Sequence, residues 1–316
     1  QDDHYKESFS WVDLIAPVKD TAVIQALDGH LMTMLQSDER KNCWMAVPDI
    51  IDWEQMVGCR YSHRKTDAFA PGDLDLEEYL LANAMQDTDD IGYFKHHLIT
   101  AWDSDNKLLH RWPAYRCLIA ELALDEKLYV LSNSIWYSIE NRFKRGIEHF
   151  FEHEVKASTM NWCAYSGESE GDYNWLLAEH LSGACLDAKN VSYGGGHSKI
   201  EVCDVLTPEK QLVHVKKYGG SYPLSHLFAQ GLVASRTLSG DVEFRKGAKK
   251  AILHGKKHLF SRSNFHPRDW TVVYGILGRG KRQLPFFSKV NLKTATTNLR
   301  QLGYTVHLDF IPINPS

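Results

Sequence analysis

The sequence predicts an α/β protein in two parts: an acidic α+β region over residues 1–156, then a basic region over 157–316 built as a mixed sheet flanked by helices. Two observations carry this. The hydrophobic period passes from helical and hairpin patterns in the first part to an α-β-β-β-α-β-α-β order in the second, and that order gives a sheet with helices on its faces. The charge changes along with it. Net charge is −4, yet after residue 204 there are 18 Lys+Arg against 5 Asp+Glu, and before it 18 against 35. Such a split suits a nucleic-acid-facing half carried by an acidic half. The acidic half would serve as a surface for a protein partner or a second copy, or would mask the basic half as an internal mimic of nucleic acid.

Each element follows from local pattern. Residues 12–37 read as a helix from the recurrence of Val23, Ile24, Leu27, Leu31 and Leu35. A polar stretch near Gly58–Gly72 precedes a second amphipathic helix, Leu74–Met85, with Asp73 as its N-cap after the Pro71-Gly72 breaker. Ala114–Leu124, Leu128–Ser132 and Ile135–Ile139 form a hairpin or meander. Asn141–Val155 is helical, and Ala157–Gly171, rich in Ser, Gly and polar groups, reads as a linker. Beyond it come helix Asp172–Leu181, strand Val191–Tyr193, a triple-glycine turn, and strands Lys199–Val205 and Leu212–Lys216. Helix Leu224–Ala234, a basic segment (Arg245–His266), strand Thr271–Leu277, helix Asn291–Leu302 and strand Thr305–Phe310 complete the order.

Composition narrows the class. Apolar residues make up 43% and charged residues 24%, ordinary for a globular protein with ample chain for a core. No uncharged apolar run reaches about 18 residues and no basic-then-apolar leader is present, so neither a membrane span nor a signal peptide is read. Six cysteines without a C-x-x-C pair argue against a zinc knuckle or a disulfide framework and fit reduced thiols in a cytoplasmic protein. The chain opens on Gln1 rather than Met, which reads as a fragment or processed product.

One compact stretch carries most of the chemistry. Asp204 closes a strand; a short turn through Pro208 and Glu209 returns the chain; His214 and Lys216 then share one face of the next strand while Val213 and Val215 turn to the other. A carboxylate, an imidazole and an ammonium are thereby expected in one region. Phosphodiester hydrolysis uses such a set: the carboxylate holds Mg²⁺ or Mn²⁺, and a lysine orients water or neutralises developing charge. Glu170 or Glu179, on the helix before the sheet, would supply a second acid. Gln230 would support the site from the helix behind. His214 stands where such sites carry Glu or Asp, and imidazole as a ligand would favour Mn²⁺, Fe²⁺ or Zn²⁺ over Mg²⁺.

The chain order acid-helix, Asp204, x-x-Lys216 and Gln230 resembles the PD-(D/E)xK nuclease superfamily over about residues 168–310, implying a restriction-endonuclease-like sheet and a divalent-metal site; His214 is the departure. Longer stretches resemble an uncharacterised, sporadically distributed bacterial family of restriction and mobile-element loci. They are Ala46-Val47-Pro48-Asp49-Ile50-Ile51-Asp52-Trp53; Tyr129-Val130-Leu131-Ser132 with Trp136-Tyr137; Glu170-Gly171-Asp172-Tyr173-Asn174; Ile200–Asp204; His214-Val215-Lys216 with Leu224–Gly231; and Leu284–Ser288. This second resemblance favours Glu170 over Glu179, makes His-x-Lys the family's own pattern, and implies a role in phage defence or mobile-element biology.

Lys246, Lys249, Lys250, Lys256, Lys257, Arg262, Arg268, Arg279, Lys281 and Arg282, interleaved with Phe244, Phe260, Phe265 and Trp270, read as a phosphate-binding surface, for DNA more than RNA. His149-Phe150-Phe151-Glu152-His153 matches H-x-x-E-H, but its helix places these polar groups on the side opposite Phe143, Ile147, Phe150 and Phe151, so a solvated face is expected rather than zinc. The expected function is a metal-dependent DNA nuclease with Asp204, Glu170 and His214 at the metal. The alternative is a non-catalytic nucleic-acid-binding protein on a nuclease-like fold.

Overall fold

Asp20 sets the start of the first helix in the computed structural model. The structure describes residues 14–37, 40, 42–48, 56–62, 69–70, 74–83, 90–193, 198–218, 221–261, 265–278 and 284–314. Two compact units result, one within Gln1–Ile147 and Gly219–Tyr222 and one within Glu148–Tyr218 and Pro223–Ser316.

In the first unit the Asp20 carboxylate accepts from the N–H groups of Ala22 and Val23, so helix α1 is Thr21–Gln36 rather than 12–37. The preceding residues form strand β1 (Ile15–Pro17). Strand β2 (Cys43–Met45) follows, then β3 (Gly58–Arg60), helices α2 (Leu76–Asn83) and α3 (Ile91–His96), and strands β4 (Leu98–Trp102) and β5 (Leu108–Pro113). Asp73, the expected cap of α2, lies outside the described residues. Ala114–Cys117 forms one helical turn where strand was expected, and the meander β6 (Leu118–Leu124), β7 (Lys127–Ser132), β8 (Ile135–Ile139) follows as read. The sheets run β1-β8-β7-β6-β2 and β3-β4-β5. Asp28 sits on the buried side of α1 with Leu27 and Leu31. It is tolerated there because Tyr115 Oη, Trp136 Nε1 and Lys95 Nζ donate to it at 2.7, 2.9 and 2.7 Å.

The second unit is a mixed sheet with helices on both faces. Helix α4 (Asn141–His149), which belongs to the first unit as far as Ile147, runs into a π-helical turn, Phe150–Glu154. Next come α5 (Glu170–His180), strands β9 (Ala184–Cys185), β10 (Asn190–Tyr193), β11 (Ser198–Glu201), β12 (Val205–Leu206) and β13 (Gln211–Lys217), and helices α6 (Ser221–Gly240) and α7 (Val242–Ala251). Strand β14 (Thr271–Leu277), helix α8 (Phe286–Leu302) and strand β15 (Thr305–Ile311) finish the unit. The five-stranded sheet is ordered β15-β14-β13-β12-β9, with β13, β14 and β15 parallel and β12 antiparallel to both neighbours. Strands β10 and β11 make a separate ribbon.

Alternation sorts the side chains. Val213, Val215, Val273 and Leu277 pack with Tyr173 and Leu177 of α5. Leu212, Val272, Tyr274 and Ile276 pack with Leu227 and Phe228 of α6 and with Leu292 and Leu299 of α8. The strands therefore read as continuous apolar runs, as both faces are covered. Residues 157–169 are not a free linker. Tyr165 is fully buried, and Ser158 and Trp162 donate to the buried Asp309 carboxylate.

The Trp162 ring lies over Gly275 of β14, where a Cβ would stand 2.3 Å from Trp162 Cη2. Gly275→Ala is expected to cost about 1–3 kcal/mol by overpacking. In a double-mutant cycle with Trp162→Phe, measured by urea unfolding, the penalty should shrink. Strictly additive costs would show that the indole does not set the requirement for glycine.

Candidate metal centre

The site begins at a bend. Between β11 and β12 the chain turns at Asp204, whose N–H donates to Val213 O at 2.9 Å and whose Oδ2 accepts the Val215 N–H at 2.6 Å. Asp204 is thus fastened to β13 through backbone and side chain. Its own carbonyl accepts from Leu186 and Asp187 N–H at 2.7 and 3.2 Å, which draws the segment after β9 alongside. Glu201, the last residue of β11, accepts from Ala188 N–H at Oε1 and from Gln230 Nε2 at Oε2, the latter at 2.6 Å. These bonds converge three carboxylates: one oxygen each of Asp187, Glu201 and Asp204 lies within 4.8 Å of the others.

Helix α5 closes one side. Ser169 caps it through Asp172 N–H, which puts Glu170 in its first turn. Glu170 Oε1 lies 3.1 Å from Lys216 Nζ at the end of β13. Gly171 approaches the acids closely: a Cβ there would lie 3.2 Å from Asp187 Oδ2.

Electrostatics mark the cluster. Burial first, then the Glu201 charge, push the Asp204 carboxyl well above the usual range, and Asp187 and Glu170 add to it. Burial likewise raises Glu201, with Asp187 adding and the Ala188 N–H, Gln230 and Lys216 opposing. Like charges in a partly dry site are costly together. A divalent cation relieves that cost, and an all-carboxylate oxygen set suits hard ions such as Mg²⁺ or Mn²⁺.

Of the residues singled out from sequence, Asp204, Glu170, Lys216 and Gln230 meet here. His214 does not. It sits mid-strand, fully buried on the α6 face, its ring 5.9 Å from that of Tyr274 and both nitrogens without a hydrogen-bond partner. Burial alone pushes its imidazole down to about 4. Alternation did place His214 and Lys216 on one side, but the helix packed over mid-strand enclosed the imidazole while the lysine at the strand end reached Glu170. Glu179 also stands apart, exposed and roughly 13 Å further along α5 than Glu170. Asp187 and Glu201 were missed. The spacing Glu201-x-x-Asp204 was a usable signal, because Ile200–Asp204 does not continue as one strand.

The basic groups divide. On α7, Lys246 and Lys250 share a helix face; Lys246 pairs with Glu243, and Lys249 is half-buried. Lys256 donates to Ser182 O, Lys257 is half-buried and Arg268 is exposed. Arg262, Arg279, Lys281 and Arg282 lie outside the described residues. The interleaved aromatics are not a stacking surface: Phe244, Phe260 and Trp270 are buried and Phe265 packs on Trp270. His149 and His153 are exposed, their rings 4.6 Å apart, and the described metal-capable group does not include them.

The second unit is therefore an α/β mixed sheet carrying a carboxylate cluster beside a lysine. Residues 1–312 match DUF6119, a family of unknown function, and the chain belongs to that family. No curated protein and no solved structure matches it.

Because Asp204 is raised in the folded protein, folded and unfolded chains both hold its proton at low pH. Above the unfolded value, near 3.9, only the folded chain keeps it, so stability falls with rising pH until the folded carboxyl also ionises. Asp204→Asn should therefore raise the melting temperature by a few degrees at pH 8 in chelator, with the gain fading toward pH 4. A lower melting temperature for the variant at pH 8 would show that the charge is not under strain.

Proposed function

We propose that the chain is a metal-dependent nuclease that hydrolyses DNA phosphodiester bonds. The observation that carries this reading is the convergence of Asp187, Glu201 and Asp204 next to Lys216. When bound, Mg²⁺ or Mn²⁺ would polarise the phosphoryl oxygen and acidify a water. The protein's own groups do the rest. Asp204 at the bend and Asp187 on the segment after β9 would hold the ion, while Gln230 and the Ala188 N–H fix the orientation of Glu201. Lys216 offers positive charge where the phosphoryl oxygens gain negative charge, and Glu170 positions it. His214 takes no part.

The likeness to the PD-(D/E)xK superfamily supports the reading: an acid-bearing helix, Asp204, Lys216 and Gln230 follow in the expected chain order on a mixed sheet. Glu201, with Asp187, fills the role of the acid that His214 replaces. The lysines of α7 and of the 254–259 turn supply phosphate contacts. A cytoplasmic role in phage defence or mobile-element biology fits such an activity, and the acidic first unit would then meet a protein partner or a second copy. One observation favours a non-catalytic DNA-binding protein instead: Lys216 is engaged by Glu170.

Plasmid, linear duplex and single strands incubated with Mg²⁺, Mn²⁺ or EDTA separate the two. Cleavage should require metal and fall by about 100-fold or more in Asp204→Asn and Glu201→Gln, while His214→Phe retains it. Salt-sensitive binding without cutting would select the binding protein. Cutting that survives both acid substitutions would sink the proposed site.

A further inference from the structure

Helix α5 carries a large exposed aromatic beside the acid cluster. Trp175 keeps 51% of its surface, and Leu176 beside it keeps 51%. Trp175 lies four residues after Gly171, so the two share one helix face about 5–6 Å apart. Gly171 abuts the Asp187 carboxylate. One turn on, Lys189 Nζ lies 5.9 Å from the centre of the Trp175 ring, its ammonium steadied by Cys185 O at 2.8 Å. Asp187 and Lys189 belong to one short segment, and the Ala188 N–H between them holds Glu201. The aromatic face and the acid cluster are therefore neighbours built from the same helix and the same loop.

We propose that Trp175 and Lys189 form a stacking platform for an unpaired base of single-stranded DNA next to the phosphate at the acid cluster. This rests on the nuclease reading for the identity of the polymer. An indole gives every base an apolar face on which to stack, and a neighbouring ammonium serves the flanking phosphate. The offset of one helix turn between Gly171 and Trp175 matches one to two nucleotide steps, at about 3.4 Å per step along a stacked strand. Bases in a duplex are already stacked and paired and offer no free face, so the platform selects single strands, frayed ends or flaps. Among the aromatics of the basic segment, Phe244, Phe260 and Trp270 are buried and Phe265 is packed against Trp270.

Binding of a labelled single-stranded oligonucleotide and of its duplex to the full chain, in EDTA at fixed salt, tests the platform. Trp175→Ala should weaken single-strand binding about tenfold, in line with the loss of one stacked base. Trp175→Phe should restore most of it, Leu176→Ala should change little, and duplex binding should stay the same in all three. The platform is overturned by Trp175→Ala binding single strands like the unaltered chain, by equal losses on single strand and duplex, or by no single-strand binding at all. Metal-dependent cleavage assayed in parallel separates the two ideas. Cleavage indifferent to Trp175 would keep the nuclease and discard the platform; Trp175-dependent binding without cleavage under any metal would do the reverse.

Discussion

The candidate site depends on the way Asp204 is fastened to β13. Its N–H and Oδ2 bond on either side of His214, to Val213 O and Val215 N, while its carbonyl gathers Leu186 and Asp187. A buried carboxylate accepting only one backbone N–H at 2.6 Å is under-compensated. The fold nevertheless brings two more acids toward it. Held this close, the three carboxylates disfavour one another's charged forms, and burial adds to that for Asp204 and Glu201.

The sheet makes this strain sustainable. Both faces are sealed, by Tyr173 and Leu177 on one side and by Leu227, Phe228 and Leu299 on the other. The cluster forms where β11 ends and the chain bends toward β12, and Asp187 and Glu201 keep partial exposure there. His214 shows the cost of that seal. An imidazole without partners is held neutral in the core, its role reduced to packing against Tyr274. Glu201 arrives from the end of the β10–β11 ribbon, held by two donors.

Long apolar runs were legible. Thr271–Leu277 reads as strand without ambiguity because both its faces are buried, and β13 and β15 follow for the same reason. Strands β9 and β12 were not legible: two residues each cannot establish a period. The small sheet of β3, β4 and β5 was missed in the first unit, where Arg60 and His110 interrupt any alternation. Asp28 shows the same limit, since its burial depends on Tyr115 and Trp136, some 87 and 108 residues away. The site was half visible. Asp204, Lys216, Glu170 and Gln230 follow a recognisable order, but Asp187 and Glu201 acquire meaning only from the bend at Asp204. Conversely, Phe244, Phe260 and Trp270 looked like partners for bases because sequence shows their lysine neighbours and not the core they fill.

A crystal of the full chain soaked in Mn²⁺ tests the central claim most directly, by the position of the anomalous scattering peak. A peak about 2–2.3 Å from oxygens of Asp187, Glu201 and Asp204 is the result these carboxylates require. A peak at His149 and His153 instead, or none at millimolar Mn²⁺, would contradict it.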